Sequence, residues 1–269
     1  MHRKEPGKPL LEARNLEVAY NDVGRAVHGV SILVPENAIV GIVGMNGAGK
    51  TTTMLAIAGF MSHDSVEISG GEILFAGTDC TGARPDAISR LGLALVPERE
   101  KVFVRLTTWE NLVASAGRGH ASVTMASIFE LFPRLAERRH TVAGYLSGGE
   151  QQMLAIAMAM LSNPKLLLID ELSLGLAPAM VDTIIAAVRE LRQHFGLSVL
   201  FVEQSAANAV KLADWIYVMG NVRIVLEGPT AEVCNHSDFR NLYLGMSENT
   251  EQRSYRDVRR YQKRNRWFG

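Results

Sequence analysis

Gly44-Met45-Asn46-Gly47-Ala48-Gly49-Lys50-Thr51 follows the apolar run Ile39-Val-Gly-Ile-Val43 and leads into a helix-compatible segment, Lys50 to Phe60. The octet fits G-x-x-x-x-G-K-[ST] in its proper setting, a strand before it and a helix after it. Glycines permit the torsions that turn successive N–H groups inward, and the positive end of the helix adds to them. These donors suit a β-phosphate. Lys50 is expected to reach the β- and γ-phosphates, and Thr51 to place its hydroxyl on Mg²⁺, with Thr52 beside it in the nucleotide-binding set. Alone, the loop means a nucleoside triphosphate and no more, because kinases, GTPases and transport ATPases share it.

The surrounding pattern widens the reading. Leu11 to Tyr20 and Val27 to Val34 read as strands, and Val66 to Ala76 as a strand pair interrupted by Gly70-Gly71. Leu91 to Val96, Leu166 to Ile169 and Ser198 to Val202 are short apolar runs of the kind buried on both faces. Ile216 to Val218 and Arg223 to Leu226 look like a hairpin joined through Gly220-Asn221. Residues 105–162, richer in Ala, Leu and Met, read as an inserted helical subdomain. The expected fold is α/β: a mostly parallel, helix-covered sheet, an antiparallel β subdomain and that helical insert. Ligands of a parallel sheet sit at the carboxyl ends of its strands, so motifs far apart in sequence should cluster there.

Composition narrows the class. The 269 residues carry 28 Lys+Arg and 28 Asp+Glu, which argues against a nucleic-acid binder acting through its whole surface. Two cysteines, Cys80 and Cys234, cannot build a disulfide framework, which favours a reducing, cytosolic setting. The charged start, Met1 to Pro9, has no apolar core of a secretory signal behind it. The longest apolar stretch, Met153 to Leu161, is far short of the ~20 residues a membrane helix needs. Any membrane role would be served from the aqueous side.

Two further motifs carry chemistry. Leu166-Leu-Leu-Ile-Asp-Glu171 is an apolar strand ending in two carboxylates. Asp170 is expected to hold Mg²⁺ through water. Glu171, on the other side of an alternating strand end, is expected to point elsewhere and to polarise the attacking water as general base. Without the phosphate loop the pair would be an ordinary solvated turn. Leu146-Ser-Gly-Gly-Glu-Gln-Gln152 has capping-box spacing between Ser147 and Glu150, so it starts a helix. A cap does not need the two glycines, Gly148 and Gly149, which leave amides bare to an anion. One phosphate loop and one bare helix start in a chain suggest a sandwich, each copy's nucleotide closed over by the other's Ser147-Gly148-Gly149.

The phosphate loop, the Leu-Ser-Gly-Gly-Glu-Gln run and the Leu-Leu-Leu-Ile-Asp-Glu strand, in this order, resemble the nucleotide-binding subunit of ABC transporters over about residues 10–245. More narrowly, Val96-Pro-Glu98, Ser173-Leu-Gly-Leu-Ala-Pro178, Val202-Glu-Gln204 and Val225-Leu-Glu-Gly228 resemble the branched-chain amino-acid (high-affinity Leu/Ile/Val) uptake branch. The resemblance implies ATP with Mg²⁺ and a second ATPase subunit, identical or related. It also implies integral membrane permease subunits, an indirect link to a substrate-binding protein, and a peripheral place on the cytoplasmic side of the inner membrane. It implies that Tyr20 stacks on adenine, a position an ordinary strand tyrosine would fill equally well. Glu98 stands where most members have a metal-sensing glutamine; a carboxylate there can still bind the Mg²⁺ with Thr51 and Asp170, at the cost of added negative charge near the phosphates, and 98–112 becomes the docking face for the permease. Gln204 stands where a switch histidine is usual. It can donate to the γ-phosphate but cannot titrate near neutrality, so no pH dependence should arise there. Ser173 to Ala177 would lie between the two sites of a dimer. Leu172 replaces the usual proline after the catalytic Glu171, and Met219-Gly-Asn-Val-Arg223 departs from the usual Asn-Gly turn.

Residues 246–269 hold seven Lys/Arg against three acids, +4, leaving −4 on residues 1–245. Such a tail is first a solvated terminus. Attachment to anionic lipid or an acidic partner is the functional alternative, and nucleic acid fits less well. Two rivals stay open: a non-transport ABC ATPase acting in regulation or on nucleic acid, and a P-loop small-molecule kinase. The first usually brings a second cassette, a coiled coil or zinc motifs, and the second has no need of Leu-Ser-Gly-Gly-Glu.

Overall fold

A strand such as Ile39-Val-Gly-Ile-Val-Gly44 has no polar side chain, so it is stable only with both faces covered. The computed structural model, which describes residues 9–20, 24–61, 66–116 and 122–243, meets that demand with two sheets and a helical layer. The chain forms β1 (Pro9–Tyr20), β2 (Gly24–Pro35) and β3 (Ile39–Gly44), then α1 (Lys50–Ile57), β4 (Val66–Phe75), β5 (Thr78–Asp79) and α2 (Pro85–Arg90). After β6 (Leu93–Val96) come α3 (Thr108–Ser115), α4 (Met125–Leu131), α5 (Pro133–Glu137), a 3₁₀ turn at Ala143–Tyr145 and α6 (Gly148–Met160). The remainder alternates: β7 (Leu166–Ile169), α7 (Pro178–Phe195), β8 (Ser198–Glu203), α8 (Ala206–Leu212), β9 (Trp215–Gly220), β10 (Arg223–Pro229), α9 (Thr230–Asn235) and α10 (Ser237–Tyr243).

The larger sheet has the order β10-β9-β3-β8-β7-β6, parallel except for β10 against β9. The smaller, β2-β1-β4-β5, is antiparallel. Strand alternation divides the large sheet's side chains between two cores. Val40, Ile42, Leu166, Leu168, Leu200 and Val202 pack against the antiparallel sheet and α1. Ile39, Val43, Leu167, Ile169, Val199 and Phe201 face the helices. The helical insert shares that second core: Leu112, Ile128, Phe132 and Leu135 lie in one cluster with Leu154 and Ile169. It is therefore anchored by common apolar burial as well as by chain connection.

Two sequence expectations change here. Val66 to Phe75 is one strand, not a pair. The glycines do not break it; β1 bulges instead, and Asn15 and Leu16 both stand opposite Gly71, between the pairs Arg14↔Glu72 and Glu17↔Gly70. The hairpin turn is Asn221-Val222 rather than Gly220-Asn221, with φ of 50° and 57°. Both central residues are left-handed, as a type I′ turn requires. The Val222 carbonyl accepts the His28 N–H at 2.9 Å, an anchor across the two sheets for a β-branched residue in a strained conformation.

Gly71 has φ 86°, and a Cβ there would lie 2.5 Å from the Asn15 carbonyl oxygen and 2.6 Å from that of Arg14. Backbone cannot yield as a side chain can. Gly71→Ala is expected to destabilise the fold by about 2–4 kcal/mol, combining left-handed strain with overpacking, and to lower the melting temperature in a thermal scan.

Candidate nucleotide site

The phosphate loop leaves β3 at Gly44 and closes at Gly49, the N-cap of α1, with φ 94°. A Cβ on Gly49 would come within 2.6 Å of the Ala26 carbonyl oxygen, so only glycine lets the loop pass β2 so closely. Gly44 is equally confined, by the Met219 carbonyl oxygen at 2.6 Å from its would-be Cβ. No side chain caps α1 and no acid stands in its first turn, so the helix presents its positive end bare. Met45, Asn46 and Gly47 are exposed at the loop tip, Ala48 is buried beneath it, and Thr51 and Thr52 are half-buried on the first turn.

Lys50 is buried. Its Nζ donates to the Gly44 carbonyl at 2.8 Å and the Met45 carbonyl at 3.3 Å, and stands 3.4 Å from Glu171 Oε1. Thr51 Oγ1 donates to Asp170 Oδ1 at 3.1 Å. The paired carboxylates thus converge on the first turn of α1. This corrects the expectation that Glu171 points elsewhere. Glu171 lies beyond the end of β7 and has φ 55°, a left-handed conformation outside strand alternation. Leu172, in the position where a proline was the expected norm, is buried, and its N–H donates to the Val202 carbonyl at 3.4 Å. A proline could not make that bond; here packing and the hydrogen bond supply the restraint instead.

Glu98 follows β6, half-buried and paired with Arg99 Nε at 3.2 Å. Gln204 follows β8 directly and is exposed. Strands β3, β6, β7 and β8 therefore deliver residues 44–52, 98, 170–171 and 204 to one edge of the sheet. Sequence reasoning passed over Glu203, a fully buried acid that closes the apolar run Val199 to Val202. Its signal was the one that marked Asp170.

Two expected elements do not join this cluster. Tyr20 ends β1 in the other sheet, 41% exposed. Ser147 starts α6, and among the described residues no hydrogen bond or ion pair links 147–150 to 44–51. Ser147 and Gly148 are exposed, whereas Gly149 is buried. The capping box is complete: Glu150 N–H donates to Ser147 Oγ at 3.3 Å, and Ser147 N–H donates back to Glu150 Oε2 at 2.9 Å. The Ser147 hydroxyl also donates to that carboxylate at 3.0 Å. Burial opposes the charge on Glu150, yet the Ser147 donors and the Arg138 and Arg134 side chains hold its carboxyl below the usual range. The tail 246–269 lies outside the described residues.

Burial pushes the Asp170 carboxyl up to about 6; the Thr51 hydroxyl pulls it down, the charges of Glu171 and Glu98 push it further up, and Lys50 opposes them. A carboxyl raised in the folded state contributes stability that is intact below its unfolded value, near 3.8, and lost as pH rises through about 6. In chelator and without nucleotide, Asp170→Asn is therefore expected to melt above wild type at neutral pH. The gap should narrow as the pH of the scan falls toward the ordinary carboxylate range.

The geometry has counterparts. A family model described as "ABC transporter" matches residues 27–173. Over 224 residues the chain is 43% identical to the high-affinity branched-chain amino acid transport ATP-binding protein BraG of Pseudomonas aeruginosa, covering 82% of this chain and 94% of that protein. It is 31% identical over 242 residues to the lipopolysaccharide export system ATP-binding protein LptB of Haemophilus influenzae, covering 88% and 97%. The solved ADP conformation of MJ1267, an ATP-binding cassette of an ABC transporter, superposes with a TM-score of 0.73 at 26% identity, over 88% of this chain and 99% of that one. Phosphate loop, acidic strand end and fold agree: the chain belongs to the ABC transporter ATP-binding family and is one of its ATP-hydrolysing subunits.

Proposed function

We propose that this subunit powers uptake of branched-chain amino acids, as one of two ATPase subunits that close on ATP beneath membrane permease subunits. The observation that carries the chemistry is the convergence of Lys50, Thr51, Asp170 and Glu171 at the bare N-terminus of α1. The kinship to BraG supports the cargo. The kinship to LptB, an export ATPase by its name, marks the ATPase core as one that serves more than one cargo.

The loop amides and Lys50 bind the phosphates. Mg²⁺, held by Thr51 and Asp170 with Glu98 near them, would neutralise charge between the β- and γ-phosphates. Lys50 turns from the Gly44 and Met45 carbonyls to the phosphates, which frees Glu171 from its one ion-pair partner among the described residues and leaves it to accept the proton of the attacking water at its carboxylate. Gln204 donates to the γ-phosphate. The Ser147 hydroxyl can turn from Glu150 to the partner copy's nucleotide without losing the cap, because Glu150 N–H still donates to Ser147 Oγ. Tyr20 offers an exposed ring for adenine. Catalysis by such groups is positional and electrostatic.

An apolar patch supports a permease partner. Phe103, Val104, Trp109, Val113 and Tyr145 are exposed, Tyr145 at 85%. Their segments are joined: the Gly144 N–H donates to the Val104 carbonyl at 2.9 Å, and Asn111 on α3 holds the Phe103 N–H and carbonyl at 2.8 and 3.1 Å. Lys101 reaches Gln152 on α6, so the same loop is tied to the helix that Ser147 starts. Exposed clusters of this kind mark protein or membrane contacts. No helix among the described residues is long and apolar enough to cross a membrane, which suits a peripheral subunit on the cytoplasmic side of the inner membrane.

Glu171→Gln is expected to slow ATP hydrolysis ~10²–10⁴-fold, the usual worth of a general base, while ATP affinity stays intact and a dimer accumulates on size-exclusion chromatography with ATP. A variant with normal turnover would remove Glu171 from the role. Lys50→Ala should lose nucleotide affinity in titrations with a fluorescent ATP analogue. For the cargo, the permease that co-purifies with this subunit, reconstituted in vesicles, should couple ATP hydrolysis to uptake of leucine, isoleucine or valine. Coupling to another solute would overturn that part.

A further inference from the structure

Gly148 and Gly149 open α6 in ordinary helical backbone; neither has a left-handed φ. Torsion therefore does not account for two glycines at a helix start, where alanine is the better helix former. Their surroundings separate them. Among the described residues, a Cβ on Gly148 would meet one atom beyond its own turn, Leu176 Cδ2, at an ordinary 3.4 Å, and Gly148 is exposed. Gly149 is buried, and a Cβ there would stand 2.1 Å from Met180 Cγ, 2.6 Å from Met180 Sδ and 3.0 Å from Met180 Cε. The first of these falls more than an ångström short of the 3.4 Å at which ordinary contact begins.

Both partners in this contact are held in place. Met180 lies in the first turn of α7, half-buried against the core that contains Met153 and Val181. Its N–H donates to the Ala177 carbonyl at 2.9 Å, and the Val181 N–H to the same carbonyl at 3.1 Å, so the side chain springs from a closed turn. The segment before α6 is equally fixed. Gln151 Nε2 donates to the Ala143 and Leu146 carbonyls at 3.1 and 3.3 Å, and the Ser147–Glu150 cap closes the turn from within. A turn so bonded to itself moves with its helix. The approach of α6 to α7 at Gly149 therefore sets where Ser147 and Gly148 stand, and only a residue without Cβ admits the facing side chain so close to the backbone.

We propose that Met180 is a positioning residue for hydrolysis: seated on the bare α-carbon of Gly149, it holds the start of α6 against α7 and fixes the depth at which Ser147 and Gly148 face the partner copy's nucleotide. The two glycines then have separate duties. Gly149 serves its own protomer by admitting Met180, and Gly148 keeps the outer side of the turn free for the partner. A Cβ at residue 149 and the Met180 side chain cannot share the same space, so the helix start or its support must move.

This inference rests on the two-copy reading of Ser147, so Glu171→Gln with ATP is run alongside. Gly149→Ala is expected to melt below wild type and to lower kcat about tenfold or more, toward the ~10²-fold that an ångström of misplacement costs. Its affinity for a fluorescent ATP analogue should stay within about twofold, because the phosphate loop is untouched. Adding Met180→Ala removes all three crowding atoms and should restore most of the melting temperature and of kcat. In the Glu171→Gln background, the ATP-dependent dimer should weaken with Gly149→Ala and return when Met180→Ala is added. Gly148→Ala should gain nothing from Met180→Ala. Wild-type melting and turnover in Gly149→Ala overturn the proposal, as does an equal rescue of Gly148→Ala. So does a double variant that recovers melting but not rate, since the contact is then packing alone. If Glu171→Gln by itself forms no dimer, the two-copy reading fails instead, and the two failures are told apart.

Discussion

A buried ammonium between a phosphate-binding loop and a carboxylate is the interaction on which the site depends. Among the described residues Lys50 is the one buried Lys or Arg, and it stands between the Gly44 and Met45 carbonyls and Glu171. Charges removed from water need partners, and the partners chosen here are those a phosphate would replace. Asp170, the neighbouring acid, accepts from the Thr51 hydroxyl, but its burial outweighs that bond and makes it hard to ionise. Under the proposed function, polyphosphate and Mg²⁺ would supply the partners that this cluster draws from backbone carbonyls and from its own side chains.

That balance needs a rigid frame, and the parallel sheet supplies it. β3, β8 and β7 are adjacent, each buried along its whole length, so their carboxyl ends cannot shift separately without opening one of two packed cores. No residue within β3, β7 or β8 has a left-handed φ; Glu171 at φ 55° lies just past β7, and Gly49 at φ 94° caps α1. The helical insert is joined to the frame by shared apolar burial. Its exposed loop, around Phe103 and Val104, is pinned through Asn111 and Lys101 to helices α3 and α6. An apolar partner on that loop would press on the helix that Ser147 caps.

Much of the fold was legible in the residues. Runs such as Leu166–Ile169 and Ile39–Gly44 can be stable only as doubly covered strands, and the capping box at Ser147 and Glu150 starts a helix wherever it occurs. The errors came where a local signal was answered by a distant strand. Gly70-Gly71 reads as a break, but the bulge that accommodates it lies in β1, more than fifty residues earlier. Alternation would turn Glu171 away from Asp170, but alternation ends with the strand. Leu172 reads as a lost restraint, yet it gains one from Val202.

The sequence by itself determined which groups are present and their local conformations: a loop that must be glycine-rich, two acids after a buried strand, a capped helix start with bare glycines. Such features depend on bonds within a few residues, and the chain carries that information directly. Only the tertiary structure decided that Lys50 faces Glu171, that Thr51 reaches Asp170 across more than a hundred residues, and that Asn208 reaches Ser173. Those pairings follow from strand order and register, and these are fixed by how two cores close over both faces of one sheet.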